Sequence, residues 1–172
     1  MKRFASILWL ALAIALPSHA KLFSFTYQGD LNNATGVVQA QDLGNGQFLA
    51  TSGTLNVSTG EMIGTFDLIP GGPVSFLSPT GTFLVDNVVE PNSTNVFTYG
   101  GLLFGALNQE INIYSVAPGQ FKFDFFNGSH NSIDPGTGTV ALTAAVPEPS
   151  SVALLLAGAA IMLGLTRRKR SR

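Results

Sequence analysis

Between residues 21 and 146, apolar and polar side chains take turns along the chain. Phe23, Phe25 and Tyr27 alternate with Ser24, Thr26 and Gln28, and Leu55 and Val57 with Thr54, Asn56 and Ser58. Met62, Gly64, Phe66 and Leu68 alternate with Ile63, Thr65, Asp67 and Ile69, and Ile111 and Ile113 with Asn112 and Tyr114. Phe121, Phe123 and Phe125 face one way and Lys122 and Asp124 the other, while Val140, Leu142 and Ala144 alternate with Thr139, Thr143 and Ala145. A period of two with one apolar side describes strands with one buried face. Turn signals separate the runs: Asp42 to Gly46, Ser58 to Gly60, Pro70 to Pro73, Pro79 to Gly81, Pro91 to Asn95, Pro118-Gly119, and Asn127 to Gly138. Their spacing of roughly 8 to 14 residues is the rhythm of a sandwich or barrel. The pattern predicts an all-β domain, an antiparallel β-sandwich or flattened barrel of about eight to ten strands. Hairpins make most of its connections, and Leu142 to Val146 form its last strand. The apolar pairs in Gly100 to Gly105 predict a strand packed on both faces, with its glycines serving close packing.

The two ends break this rhythm. Lys2 and Arg3 precede an apolar run from Phe4 to Leu16, interrupted only by Ser6; Pro17 and the small-x-small Ser18-His19-Ala20 follow. That order is a secretory signal peptide over residues 1–20, cut after Ala20. At the other end, Val152 to Leu165 carry no charge or strongly polar group, and Ser151 and Thr166 extend the run to residues 151–166. As a helix that run measures roughly 24 Å. The bilayer core is about 30 Å, so a transmembrane helix here relies on snorkelling or local thinning. Arg167, Arg168, Lys169 and Arg170 follow at once. The positive-inside rule keeps them cytoplasmic and the preceding domain outside the cytoplasm. The division is therefore 1–20 signal peptide, 21–146 exported domain and 147–172 membrane-bound tail.

The near-neutral total of −1 conceals segregated charge. Between residues 21 and 146, Lys21 and Lys122 stand against nine acids, which leaves the exported domain at −7. A surface of that sign repels nucleic acid, which binds through Lys and Arg that displace phosphate counterions. The chain has no cysteine, which removes disulfides, thiolate nucleophiles and thiolate zinc sites. Twelve of the thirteen Phe lie in the exported domain, and they predict a phenylalanine core.

Pro147-Glu148-Pro149, the small and aliphatic run from Ser150 to Leu165, and the terminal Arg-Arg-Lys-Arg occur in that order. In this the tail resembles the PEP-CTERM sorting domain. The resemblance covers about 26 residues and none of the β domain. It implies recognition by an exosortase, a membrane protease-transpeptidase, and removal of the helix near the Pro-Glu-Pro motif. It also implies release or transfer to the cell surface or extracellular matrix, and an association with exopolysaccharide.

Candidate chemistry in the β domain is sparse. His130 is its single histidine, with Ser129, Ser132 and Asp134 close by, but the setting is a Gly- and Ser-rich loop rather than a nucleophile elbow. It reads as an exposed loop histidine. A carboxylate pair for glycan hydrolysis needs only two of the nine acids. Asp42, Asp67, Asp124 and Asp134 sit on polar sides of strands or in turns and read as solvated surface. Asp30-Leu-Asn32-Asn33, and Asp86-Asn87 with Glu90 and Asn92, offer oxygen ligands for calcium, and Asx turns explain both without metal. The leading expectation is a non-catalytic surface or matrix protein without cofactor, with Asn, Thr and Tyr available for extracellular polysaccharide. The alternatives are a secreted glycan-acting hydrolase and a small-ligand or calcium-binding β-barrel.

Overall fold

The computed structural model describes residues 20–145, apart from residues 73, 107, 129 and 134. The fold is all-β, with no helix among the described residues. Twelve strands run in chain order: β1 (Ala20–Gln28), β2 (Asn33–Gly44), β3 (Gln47–Thr59), β4 (Gly64–Leu68), β5 (Phe76–Leu77), β6 (Leu84–Val85), β7 (Val88–Val89), β8 (Leu102–Ala106), β9 (Gln109–Ala117), β10 (Gln120–Asn127), β11 (Asn131–Ile133) and β12 (Thr139–Ala144). Ten of them form one antiparallel sheet, ordered β11-β10-β9-β8-β4-β3-β2-β1-β12, with β7 attached to β3; β5 and β6 form a separate two-stranded piece. The architecture is thus one curled sheet, a half-barrel, rather than the two facing sheets of a sandwich. The curl brings the ends of the strand order together at one point, where Phe121 and Gly138 exchange two backbone hydrogen bonds of 3.0 and 2.8 Å.

Alternation places the large side chains on the inner face. Phe23, Phe25 and Tyr27 of β1 are buried there with Leu55 and Val57 of β3, Ile111 and Ile113 of β9, and Phe121, Phe123 and Phe125 of β10. Burying each such side chain contributes about 1.5–3 kcal/mol. The rings also meet edge to face: Phe25 lies 5.1 Å from Phe97 with planes at 84°, and Phe23 lies 5.2 Å from Phe48. On β2 the inner positions are Ala34, Gly36, Val38 and Ala40. Gly36 pairs with Phe25, whose ring occupies the space a Cβ at residue 36 would take.

The predicted Gly-rich strand is β8, and Leu102, Leu103 and Phe104 are fully buried on both of its faces. A Cβ at Gly101, where φ is +70°, would meet the Ile113 carbonyl oxygen and the Tyr114 side chain, and one at Gly105 would meet the Gln109 carbonyl oxygen. These glycines serve close packing, as their spacing suggests. The last strand starts and ends earlier than predicted, because β12 pairs with β1 from Gln28–Thr139 to Phe23–Ala144. The stretch from Asn127 to Gly138 is more than a turn: β11 lies within it and pairs with β10.

The two halves of the sheet differ on their outer face. Over β8 and β10, a second apolar cluster buries Phe83, Val85 and Leu103, with Ile69, Phe76 and Phe126 packed against it, so the β5–β6 segment covers this half. Over β12, β1, β2, β4 and the part of β3 from Thr54 onward, most outward side chains are open to solvent.

Candidate functional site

The covered half holds most of the buried polar groups among the described residues. Outward positions on β9 are Glu110, Asn112 and Tyr114, and on β10 Lys122, Asp124 and Phe126. Glu110 is fully buried. Its two carboxylate oxygens accept the Thr80 backbone N–H at 2.9 Å and the Thr80 hydroxyl at 2.6 Å, which fastens the β5–β6 turn to the sheet. Asp124, expected among solvated surface acids, is 6% exposed. Period-two alternation placed it correctly on the outer side, but it is buried there. The Tyr114 hydroxyl donates to Asp124 Oδ2 at 2.8 Å. Burial first, then the hydrogen bond and charge of Asp124, hold the Tyr114 phenol well above its ordinary value near 10.

Two expected results follow for this pair. Above about pH 10 the unfolded chain releases a Tyr114 proton that the native state retains, so stability declines as pH rises from there. Tyr114→Phe removes the donor to a buried carboxylate and lowers stability at neutral pH by roughly 1.5–3 kcal/mol. It also makes the alkaline decline shallower. Denaturant midpoints of the two proteins between neutral and strongly alkaline pH check both, and parallel profiles would remove Tyr114 from the account.

The open half is mainly small and polar, with Val37 and Ala141 among its outward side chains. Register aligns its outward side chains in rows across the strands: Thr143, Ser24, Val37, Thr54 and Asp67 in one, and Ala141, Thr26, Thr35, Asn56 and Thr65 in the next. Asp67 is the one ionisable group in those two rows. Between them lies a shallow depression of about 390 Å³, lined by Ser24, Thr26, Thr35, Thr54, Asn56 and Thr143 among others. Six of its ten lining residues carry a hydroxyl or amide that can both donate and accept, while apolar atoms, including those of Phe25, Val37 and Ala141, form the larger share of its exposed lining.

The remaining sequence candidates are dispersed. His130 is exposed beside the β10–β11 turn, where its carbonyl accepts the Asn127 N–H. Ser132 is half-buried on β11, while Ser129 and Asp134 lie outside the described residues. Asp42 and Asp67 are exposed. In the first acid-amide loop, Asn33 donates to the Thr59 hydroxyl, Asn32 is buried against Gly60, and Asp30 lies against Gly136. In the second, Asp86 accepts from the Val88 N–H and the Thr98 hydroxyl, and Glu90 accepts from Gln47. No group of three or more acids or histidines gathers to hold a metal among the described residues.

Sequence reasoning missed the role of Asn87. It is fully buried at φ 53°. Its side-chain amide donates to the Ile69 carbonyl at 2.8 Å and accepts from the Leu103 N–H at 2.9 Å. Its backbone N–H bonds the Gly101 carbonyl and its carbonyl accepts the Ala50 N–H. One residue thus ties its own segment to three others through four hydrogen bonds. The local signal, an Asp-Asn pair between short apolar runs, announces a turn but not its partners.

Ala20, the predicted cleavage residue, is exposed and begins β1 opposite Gln41. At the other end of the domain, the Ala145 N–H donates to the Leu22 carbonyl at 2.8 Å. Both boundaries therefore emerge side by side at the same end of the sheet. The signal peptide up to residue 19, Pro147, Glu148, Pro149, the 151–166 run and Arg167, Arg168, Lys169 and Arg170 lie outside the described residues. Among the described residues, no helix is long and apolar enough to cross a membrane.

These features define a class: a β domain whose C-terminal strand leads straight into a sorting tail. Residues 145–171 match the PEP-CTERM protein-sorting motif, in agreement with the resemblance carried by Pro147-Glu148-Pro149 and the segments after it. The motif implies an exported protein targeted by an exosortase. No curated protein and no solved structure matches the chain.

Proposed function

We propose that the chain is a non-catalytic protein of the cell surface or extracellular matrix, delivered by exosortase sorting and associated with exopolysaccharide. The sorting motif at residues 145–171 carries this reading. Residues 1–20 direct export, the 151–166 helix holds the precursor in the membrane, and Arg167 to Arg170 stay on the cytoplasmic side. The exosortase then removes the helix near Pro147 to Pro149. Support for a binding role rather than a chemical one comes from what occupies the acids. Glu110 is engaged at both oxygens by Thr80, and Asp124 accepts from Tyr114. The hydroxyl-rich rows of the open face suit a neutral, polyhydroxylated polymer, because they offer paired donors and acceptors and almost no charge.

Intact mass of the protein recovered from its native host tests the sorting step, set beside the mass from a host without an exosortase. The expected native product starts at Lys21 and ends near Pro147, while the control keeps Arg172. A native product that keeps Arg172 makes the tail an ordinary anchor and overturns the sorting reading.

A further inference from the structure

Among the described residues, the last strand is paired on one side of its backbone only. The Leu22–Ala145 hydrogen bond lies in register with the β1–β12 pairs, so Ser24–Thr143, Thr26–Ala141 and Gln28–Thr139 are the hydrogen-bonded pairs of that ladder. The N–H and C=O groups of Val140, Leu142 and Ala144 point away from β1. Among the described residues no strand pairs with that edge, and the bridge to Phe121 stops at Gly138. Exposed edges are usually blunted by charge, proline, a bulge or short length. The strand from Thr139 to Ala144 has six residues with no charge and no proline, and its register with β1 is unbroken. Its inward Val140 and Leu142 are only half-buried against the core. The sheet's other edge, β11, is three residues long.

The geometry points to a second copy of this chain as the partner of this edge. Two copies of β12 are self-complementary in an antiparallel pair about a two-fold axis at Leu142. In that register Val140 faces Ala144 of the second copy, Leu142 faces Leu142, and Ala144 faces Val140. All three are hydrogen-bonded pairs, so every unused N–H and C=O on the edge finds a partner. The apolar side chains of both copies then lie on one face, where each covers the half-exposed Leu142 of the other. Ala141 meets Thr143 on the outer face, with room for close approach. Charge favours this site over the rest of the surface. Two copies of a domain carrying −7 repel, and Thr139 to Ala145 bears no acid. This pairing is independent of the polysaccharide reading and of tail processing.

The chain has no cysteine, so engineered cysteines report the register without background. Ala141 and Thr143 of opposite copies form a non-hydrogen-bonded pair, with Cα atoms about 4.5 Å apart, within disulfide range. The full chain carrying Ala141→Cys and Thr143→Cys, purified in detergent and oxidised, is expected to run as a dimer without reductant and as a monomer with it. Thr54→Cys with Asn56→Cys has the same spacing on the outer face of β3, between two paired strands, and is expected to stay monomeric. Adding Ala144→Pro to the first variant removes an edge N–H that β1 does not use, and abolishes the dimer band. Sedimentation of the unmodified full chain in detergent guards against misfolded variants: its mass is expected to rise towards a dimer with concentration. No dimer from the first pair, an equal dimer from the control pair, persistence with Ala144→Pro, or a monomeric unmodified chain at every concentration overturns the proposal.

Discussion

Asn87→Ala is expected to destabilise the domain by roughly 3–7 kcal/mol, against a total of about 5–15 kcal/mol for folded domains. The loss has two sources. Without the amide, the buried Leu103 N–H and Ile69 carbonyl lose their partners, at about 1–3 kcal/mol each. The backbone at φ 53° also suits Asn better than Ala, by about 1 kcal/mol. Asn87→Gly separates these effects, because glycine adopts positive φ freely but supplies no amide. It should therefore recover only the smaller part. Asn87→Asp keeps the acceptor for Leu103 but buries a carboxylate oxygen against the Ile69 carbonyl, and should cost at least as much as Asn87→Ala at neutral pH. Denaturant unfolding at neutral pH measures all three. A loss under about 1 kcal/mol for Asn87→Ala would falsify the four-way role.

The second large effect lies at the pairing of a large residue with the smallest. Gly36→Val places a side chain where the Phe25 ring sits. That ring is wedged against Phe97 at 5.1 Å and Phe104 at 6.1 Å, so it can move only by disturbing both. Overpacking plus loss of an aromatic pair predicts a cost of about 2–4 kcal/mol, despite valine's better strand propensity. Phe25→Ala alone should cost about 3–5 kcal/mol. The double variant is the informative one: the new valine fills part of the space the ring leaves. The combined loss should therefore fall short of the sum by about 1–3 kcal/mol. Simple additivity would mean that the two sites do not share one volume.

Gly36 also explains where the sequence is silent. The strands read directly from the chain, β1 and β10 above all, carry Phe or Tyr at three successive inward positions. The second strand alternates just as strictly, but its inward residues include Ala34, Gly36 and Ala40, and the period carries little hydrophobic contrast. It is small because β1 is large. Two-residue strands such as β5, β6 and β7 are too short for any period to register. Alternation also assigns a side and not a cover. It put Asp124 on the outer side, but nothing in the period shows that the side chain is buried there with the Tyr114 hydroxyl at 2.8 Å. The sorting tail was legible because its signal is linear: a motif, an apolar run and a basic cluster in fixed order. The β12 edge was not legible, because which strand ends a sheet depends on every pairing before it.

The side-by-side exit of the two domain boundaries has a mechanical consequence. Any load that the tail transmits enters the fold at Ala145, beside Leu22, at the end of a strand that the described residues of its own copy hold on one side only. Backbone hydrogen bonds in this ladder lie across the strand direction. A pull along β12 shears them together, whereas a sideways pull peels them one at a time, starting at Leu22. A domain tethered in this way resists tension along its final strand and yields first to drag across it.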